Sequence, residues 1–204
     1  MRPTRSTEAT DAAAAALVAQ QRRALPNGWW GMALFLCTEA ALFGSLIGTY
    51  FYLRFTNRDW PLGGIAAPAV ALPLALTAGL VASSAPMAAA SAAARRGRTG
   101  ATWLAVLAAL LIQAGYLAVQ IVEYLHDLDA FQPDTNAYGS IYFTLLGAHH
   151  VHVAVGLLLD VWLLARLVGG LTDYRVKAVR AIALYWHVVN AIAVFVVATQ
   201  VSAS

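Results

Sequence analysis

The sequence predicts an all-α membrane protein, a polytopic bundle of five transmembrane helices with a cytoplasmic N-terminus and an external C-terminus. Three observations predict it. Of 204 residues, 60% are hydrophobic and only 11% charged, where soluble domains carry roughly 25% charged residues; the mean hydropathy is +0.66. The apolar residues gather in five runs, each reaching the about 20 helical residues that cross the hydrocarbon of a bilayer. The Lys and Arg residues gather in alternate connections between those runs.

The runs fall at about 29–53, 66–94, 103–125, 138–168 and 181–201. They are continuous rather than alternating with period two, which excludes a β-barrel and leaves helices as the way to pair every backbone group inside the membrane. Residues 1–28 are polar and Ala-rich, include Arg22 and Arg23, and show no apolar core with a small-residue cleavage site. They are expected to stay as a partly disordered cytoplasmic tail ahead of a single domain, 29–204. The second run holds Pro68, Pro73 and Pro86, each lacking a backbone donor, so it is expected to kink. Its Gly79 and neighbouring Ala and Ser residues admit close helix packing. The connection 126–137, with Pro133, Asp134 and Asn136, reads as a short external loop.

Orientation follows from the bases. With five spans, the N-terminal tail and the second and fourth connections share one side, which holds eleven of the thirteen Lys and Arg residues; the other side holds only Arg54 and Arg58. The positive-inside rule makes the base-rich side cytoplasmic. The net charge of +3 is therefore a topology signal and calls for no nucleic-acid partner. The single cysteine, Cys37, excludes an intrachain disulfide and a multi-cysteine metal site, and is expected to be a structural thiol packed in the first helix.

The residues with chemical potential are the polar ones inside the spans. Glu39 lies ten residues into the first run, about 15 Å along its axis, near the bilayer middle. A carboxyl there is held protonated or meets a donor from another helix; a proton- or lipid-linked carboxyl and a neutral interhelical hydrogen-bonding acid are both open readings. Gln113, Tyr116, Gln120 and Glu123 recur every three or four residues and form one stripe of the third helix, expected to face other helices.

The fourth run carries His149, His150, His152 and Asp160. His149 and His152 share a face at a spacing that can hold a metal. The further ligands would have to come from His187, Glu123 or Glu39, and no cysteine cluster supports the site, so interhelical hydrogen bonding is the preferred reading and no metal is assigned. The histidines are too bunched to supply two haem ligands from facing helices. His187 follows Tyr185 and Trp186, a pair of the kind found at membrane interfaces, and Asn190, one turn on, can bond across helices. Asp160 either pairs with an arginine such as Arg166 or points into the bundle. No nucleophile with its base and no phosphate loop is present, so no catalytic residue is assigned.

Four stretches resemble subunit III of the haem-copper oxidases, the cytochrome c and quinol oxidase complexes. Gly31, Met32, Leu34, Phe35, Thr38, Glu39 and Phe43 are similar to the family's G-M-x-L-F-x-x-S-E-x-x-x-F segment. Gln120, Glu123 and Tyr124 resemble its Q-x-x-E-Y helix end. Tyr138, Gly139 and Ser140, leading to Gly147, His149, His152, Val153 and Gly156, resemble Y-G-S followed by G-F-H-G-x-H-V-x-x-G. Tyr185, Trp186, His187, Val189 and Asn190 resemble Y-W-H-F-V-D. Order and spacing agree from Trp29 to the C-terminus. The chain departs by having His150 for a glycine, Asn190 for an aspartate, and five helices where larger members have seven, as shorter bacterial members do.

The resemblance implies a non-catalytic subunit III of a proton-translocating respiratory oxidase in a bacterial plasma membrane. Such a subunit packs on subunit I, with subunit II and small accessory subunits nearby. It holds phospholipid and supports proton uptake and stability, and haem and copper reside in the partner subunits. Glu39 matches the family's membrane carboxyl, and Gln120, Glu123, His149, His152, His187 and Asn190 would form a polar network inside the bundle. A subunit-III-like accessory protein of a nitric oxide reductase, or an independent proton-coupled transporter, are the alternatives; the absence of an inverted repeat speaks against the transporter.

Overall fold

The computed structural model of the protein describes residues 27–203, with side chains from residue 30 onward. Most of the tail expected over 1–28 lies outside the described residues. The chain divides into two units, Met1–Cys37 and Thr38–Ser204. In the first, residues 27–37 are helical, the beginning of helix α1, Asn27–Thr56. Cys37 is exposed, not packed as expected, because it lies three residues after the outward-facing Leu34 and so on the same helical face.

The second unit is all helix apart from short connections. The second expected span is two helices in line, α2 at Ala71–Ala82 and α3 at Ser84–Arg95, interrupted at Ser83. The interruption has a covalent cause. Pro86 has no N–H for the carbonyl of Ala82, four residues back. Pro73 and Pro86 each stand third in their helix, where a backbone donor has no intrahelical partner in any case. The span begins at Ala71 rather than near 66 because residues 65–69 are not helical; Pro68 disfavours the α conformation of Ala67 before it.

Helices α4, Thr99–Ala130, α5, Ala137–Leu167, and α6, Asp173–Ala203, complete the five segments long and apolar enough to cross a membrane. Each of α4 and α6 runs past its apolar stretch. The loop expected over 126–137 shrinks to 131–136 because nothing before Pro133 stops α4, and α6 starts eight residues ahead of the expected 181. Polar turns propagate a helix beyond hydrocarbon, so apolarity underestimates length. Thr172 Oγ1 accepts the Arg175 N–H at 3.3 Å and Asp173 favours the positive end of the α6 dipole. At the other end of the bundle, Asn136 caps α5 by accepting the Gly139 N–H at 3.0 Å, and its Nδ2 donates to the Leu62 carbonyl at 3.0 Å, tying together the connections that follow α1 and α4.

In this unit α3 packs on α4, α4 on α5, α5 on α6, and α6 returns to α2 and α3, closing four spans into a ring. One apolar core, including Leu80, Met87, Val106, Val153, Leu163 and Trp186, lies among α2 to α6. A second, richer in aromatics, joins Phe43 and Tyr50 of α1 to Tyr138, Tyr142 and Phe143 of α5 and Val196 of α6. There Tyr50 donates its hydroxyl to the Thr199 carbonyl at 2.6 Å and Arg54 Nε donates to the Ser202 carbonyl at 3.1 Å, which fixes the end of α1 to the end of α6.

Trp186, fully buried, shows how tight the α5–α6 contact is. A Cβ on Gly156 would fall 2.5 Å from Trp186 Cζ2. Tyr185 and Trp186 are therefore core residues of the bundle, buried where α6 packs on α5. Gly156→Ala is expected to cost about 1–3 kcal/mol through overpacking, read as a lower Tm of the purified protein in mild detergent. An unchanged Tm would mean that the indole has room to move.

Candidate functional site

The polar side chains of the spans assemble in two places within the second unit. The first is built where α1 meets α5. His152 Nε2 lies 2.5 Å from Glu39 Oε2, and His152 Nδ1 lies 2.7 Å from the carbonyl of Ala148, one turn back on its own helix. Both side chains are largely enclosed, at 16% and 14% exposure. Phe43, one turn on from Glu39, stands edge-on to the His152 ring at a centroid distance of 5.1 Å. The Tyr185 hydroxyl donates to the His152 carbonyl at 2.7 Å, so α6 also holds the histidine's backbone.

This geometry counts the protons. A carbonyl only accepts, so Nδ1 facing Ala148 carries hydrogen. If Nε2 also carries hydrogen, it donates to a carboxylate; if it does not, the carboxyl must be protonated and donate to Nε2. Either way the pair holds one proton between its two facing atoms and has no net charge. That is the state that hydrocarbon tolerates, since an unpaired ionised group at bilayer depth costs about 2.5–3.5 kcal/mol or more.

The neighbouring histidines do something else. His149, at 1% exposure, stands edge-on to Phe43 and Tyr116, with ring centroids 6.4 and 6.1 Å away. Neither of its nitrogens has a hydrogen-bond partner among the described residues. His150 turns toward Tyr124, 5.5 Å away. His149 and His152 share a helical face as expected, yet only His152 meets an acid. Among the described residues no group of three or more His, Cys, Asp or Glu side chains is arranged to hold a metal.

The second assembly lies around the α2–α3 interruption. Asn190 Nδ2 donates to Ser84 Oγ at 2.8 Å and to Ser83 Oγ at 3.3 Å, the cross-helix bond expected of it. Gln113, oriented so that both ends of its amide are satisfied, accepts from Ser83 Oγ at 3.2 Å and donates to Asp160 Oδ2 at 2.8 Å. Asp160 thus points into the bundle, and no Lys, Arg or His among the described residues pairs with it.

The stripe of α4 faces inward through Gln113, Tyr116 and Gln120, and Gln120 Nε2 donates to the Tyr116 hydroxyl at 3.1 Å. Glu123, next along the stripe, is half-buried and lines a cavity of about 860 Å³ with His126, Asp127, Asp129, Tyr142 and Gln200. The Tyr142 hydroxyl donates to Asp127 Oδ2 at 2.6 Å there. His187 does not join either assembly. It is exposed on this chain, because Trp186 and Asn190 occupy the inward face of α6 and His187 is about 100° round from Trp186. The sequence reading did not find Ser83, Ser84 or the Gln113–Asp160 bond; two serines just ahead of a mid-span proline were the available signal.

Comparison with known proteins points to the same family as that resemblance. The family described as cytochrome c oxidase subunit III matches residues 11–201. Similar proteins include the cytochrome bo(3) ubiquinol oxidase subunit 3 of Pseudomonas aeruginosa, 33% identical over 79% of this chain and 78% of that protein. The quinol oxidase subunit 3 of Bacillus spizizenii is 30% identical over 83% of this chain and 82% of its own length. The cytochrome c oxidase subunit 3 of Bacillus subtilis is 29% identical over 83% of each.

A double-mutant cycle on Glu39→Gln and His152→Gln should return a coupling of about 0.5–3 kcal/mol in thermal or denaturant stability. Additive effects would show that the two side chains do not act as a pair in the folded protein.

Proposed function

The chain belongs to the cytochrome c oxidase subunit III family, a subunit of a terminal oxidase, and from that premise we propose its part in the complex. It is the non-catalytic subunit III of a proton-translocating oxidase that reduces oxygen to water in a bacterial plasma membrane. Its N-terminus is cytoplasmic and its C-terminus external. It packs on the haem- and copper-carrying subunit I, with subunit II and small accessory subunits close by. It binds phospholipid and supports proton uptake and the stability of the working enzyme.

The observation that carries this reading is the Glu39–His152 pair, a net-neutral acid and base sharing one proton inside the membrane. A subunit with no redox centre of its own contributes to proton traffic through such groups, by holding a proton where bulk water does not reach. The large apolar side chains left outward on the spans, such as Phe55 at 81%, Leu158 at 70% and Leu104 at 64% exposure, are surfaces for lipid acyl chains and for neighbouring subunits. Gln120, Glu123, His149 and Asn190 act as structural members that fix the helices around the pair.

Purification of the tagged protein in mild detergent is expected to bring with it a large many-helix subunit and haem absorption bands. In that complex Glu39→Gln should leave assembly intact and the initial oxygen-reduction rate largely unchanged, with the effect appearing in proton uptake during sustained turnover. A colourless protein that purifies alone would overturn the oxidase reading, and loss of the complex in Glu39→Gln would make the carboxyl structural.

A further inference from the structure

His187 breaks the rule that the other deep histidines and acids keep. Glu39, His149, His150, His152 and Asp160 are buried or largely enclosed, whereas His187 is exposed and no described residue bonds its ring. Its depth follows from the residue before it. Trp186 lies on Gly156, four residues beyond His152, the middle residue of α5, so His187 stands about 6 Å from the level of that helix centre. Ionisable groups at such depth almost always face the interior of a bundle. The interior that His187 faces is one that this chain builds only together with another.

Cross-helix contacts give the direction in which the ring lies. Asn190 meets Ser84 of α3, and Tyr185 meets the His152 carbonyl of α5. On α6, His187 is about 60° round from Asn190 and about 160° from Tyr185, which puts it on the α3 side of the outer face. Opposite it, one turn on from Ser84, α3 carries the exposed Ala88, whose methyl group leaves the imidazole open. Two turns further along both helices, toward the base-rich end, come Arg95 of α3 and Arg180 of α6. Both are exposed, and neither meets an acid among the described residues. The groove between α3 and α6 thus presents an unsatisfied ring at depth and two cations about 10 Å nearer its base-rich end.

We propose that this groove is the docking face for a transmembrane helix of another subunit. That helix sets a hydrogen-bonding side chain against His187 and, two turns away, a carboxylate against Arg95 and Arg180. The subunit is the large haem-carrying one, and that identity rests on the oxidase reading above. The ring and the cations together discriminate between occupants. An anionic phospholipid neutralises the arginines, but its acyl chains carry nothing to bond an imidazole about 10 Å deeper. A second copy of this chain in a two-fold contact brings the same patch to itself, arginines against arginines. A helix with an acid and a polar side chain seven residues apart satisfies both features, and Ala88 and the exposed Ala191 let its backbone approach.

The test uses the intact complex in native membranes. A photocrosslinking amino acid at Ala191, one turn from His187 on the same exposed face, should join this chain to a transmembrane helix of the haem-carrying subunit, in excess of the same probe at Leu111 on the outer face of α4. Capture of lipid alone, or of a second copy of this chain, would overturn the proposal. In a detergent titration of the purified complex, His187→Ala should weaken retention of this chain about 3- to 30-fold, the range of one interhelical hydrogen bond. His187→Gln, which keeps a donor and an acceptor, should recover most of that loss. Unchanged retention in His187→Ala would overturn the role of the ring. A chain that purifies with no haem-carrying subunit would remove the oxidase reading and this inference together; an assembled complex that lacks the Ala191 crosslink removes this inference alone.

Discussion

A polar side chain inside hydrocarbon has no water to bond, and the second unit of this protein is arranged around that fact. Apolar packing cannot by itself choose which helix lies beside which, because lipid chains are as apolar as leucine. The polar contacts can. Glu39 needs His152, Asn190 needs Ser83 and Ser84, and Gln113 needs both Ser83 and Asp160. Each of these bonds joins different spans, so each fixes a rotation and a height of one helix against another. Trp186 on Gly156 and Tyr185 on the His152 carbonyl then set the distance between α5 and α6.

The same rule separates residues that look alike in sequence. His149 and His152 stand one turn apart, yet one is enclosed by Phe43 and Tyr116 with no hydrogen bond among the described residues and the other bonds an acid. The difference is set by the neighbouring helix, not by α5. A neutral histidine among aromatic edges is packing material with a dipole. A histidine against a carboxyl is a place where a proton can stand on either of two atoms. Pairing in this way gives the bundle a titratable group without a net charge, which is how an ionisable residue is kept at bilayer depth.

Much of the architecture was legible in the chain. Composition and run length gave five spans, and the period of α4 gave the inward stripe of Gln113, Tyr116 and Gln120. The ends were less legible because polar turns extend helices past hydrocarbon, and the burial of Tyr185 and Trp186 depends on the packing of α6 against α5, which no run length encodes. Periodicity also could not orient His187, which the inward claims of Trp186 and Asn190 turn outward, or Cys37, which follows Leu34 to the exposed face. The pairing of Glu39 with His152 spans 113 residues of sequence. No spacing rule relates positions on different helices, so the partners were readable as candidates and not as a pair.

The interruption at Ser83 ties these residues together on another timescale. Pro86 leaves the turn at Ser83 irregular, and the two serines beside it receive Asn190 and reach Gln113, which holds Asp160. A substitution that removed either hydroxyl would leave the amides that meet it short of a partner. Descendants of this sequence therefore cannot explore these sites one at a time. The proline, the serines, Gln113, Asp160 and Asn190 form an epistatic block, inherited or exchanged together, while the outward-facing apolar positions of the same helices are free to drift among residues of similar hydrophobicity.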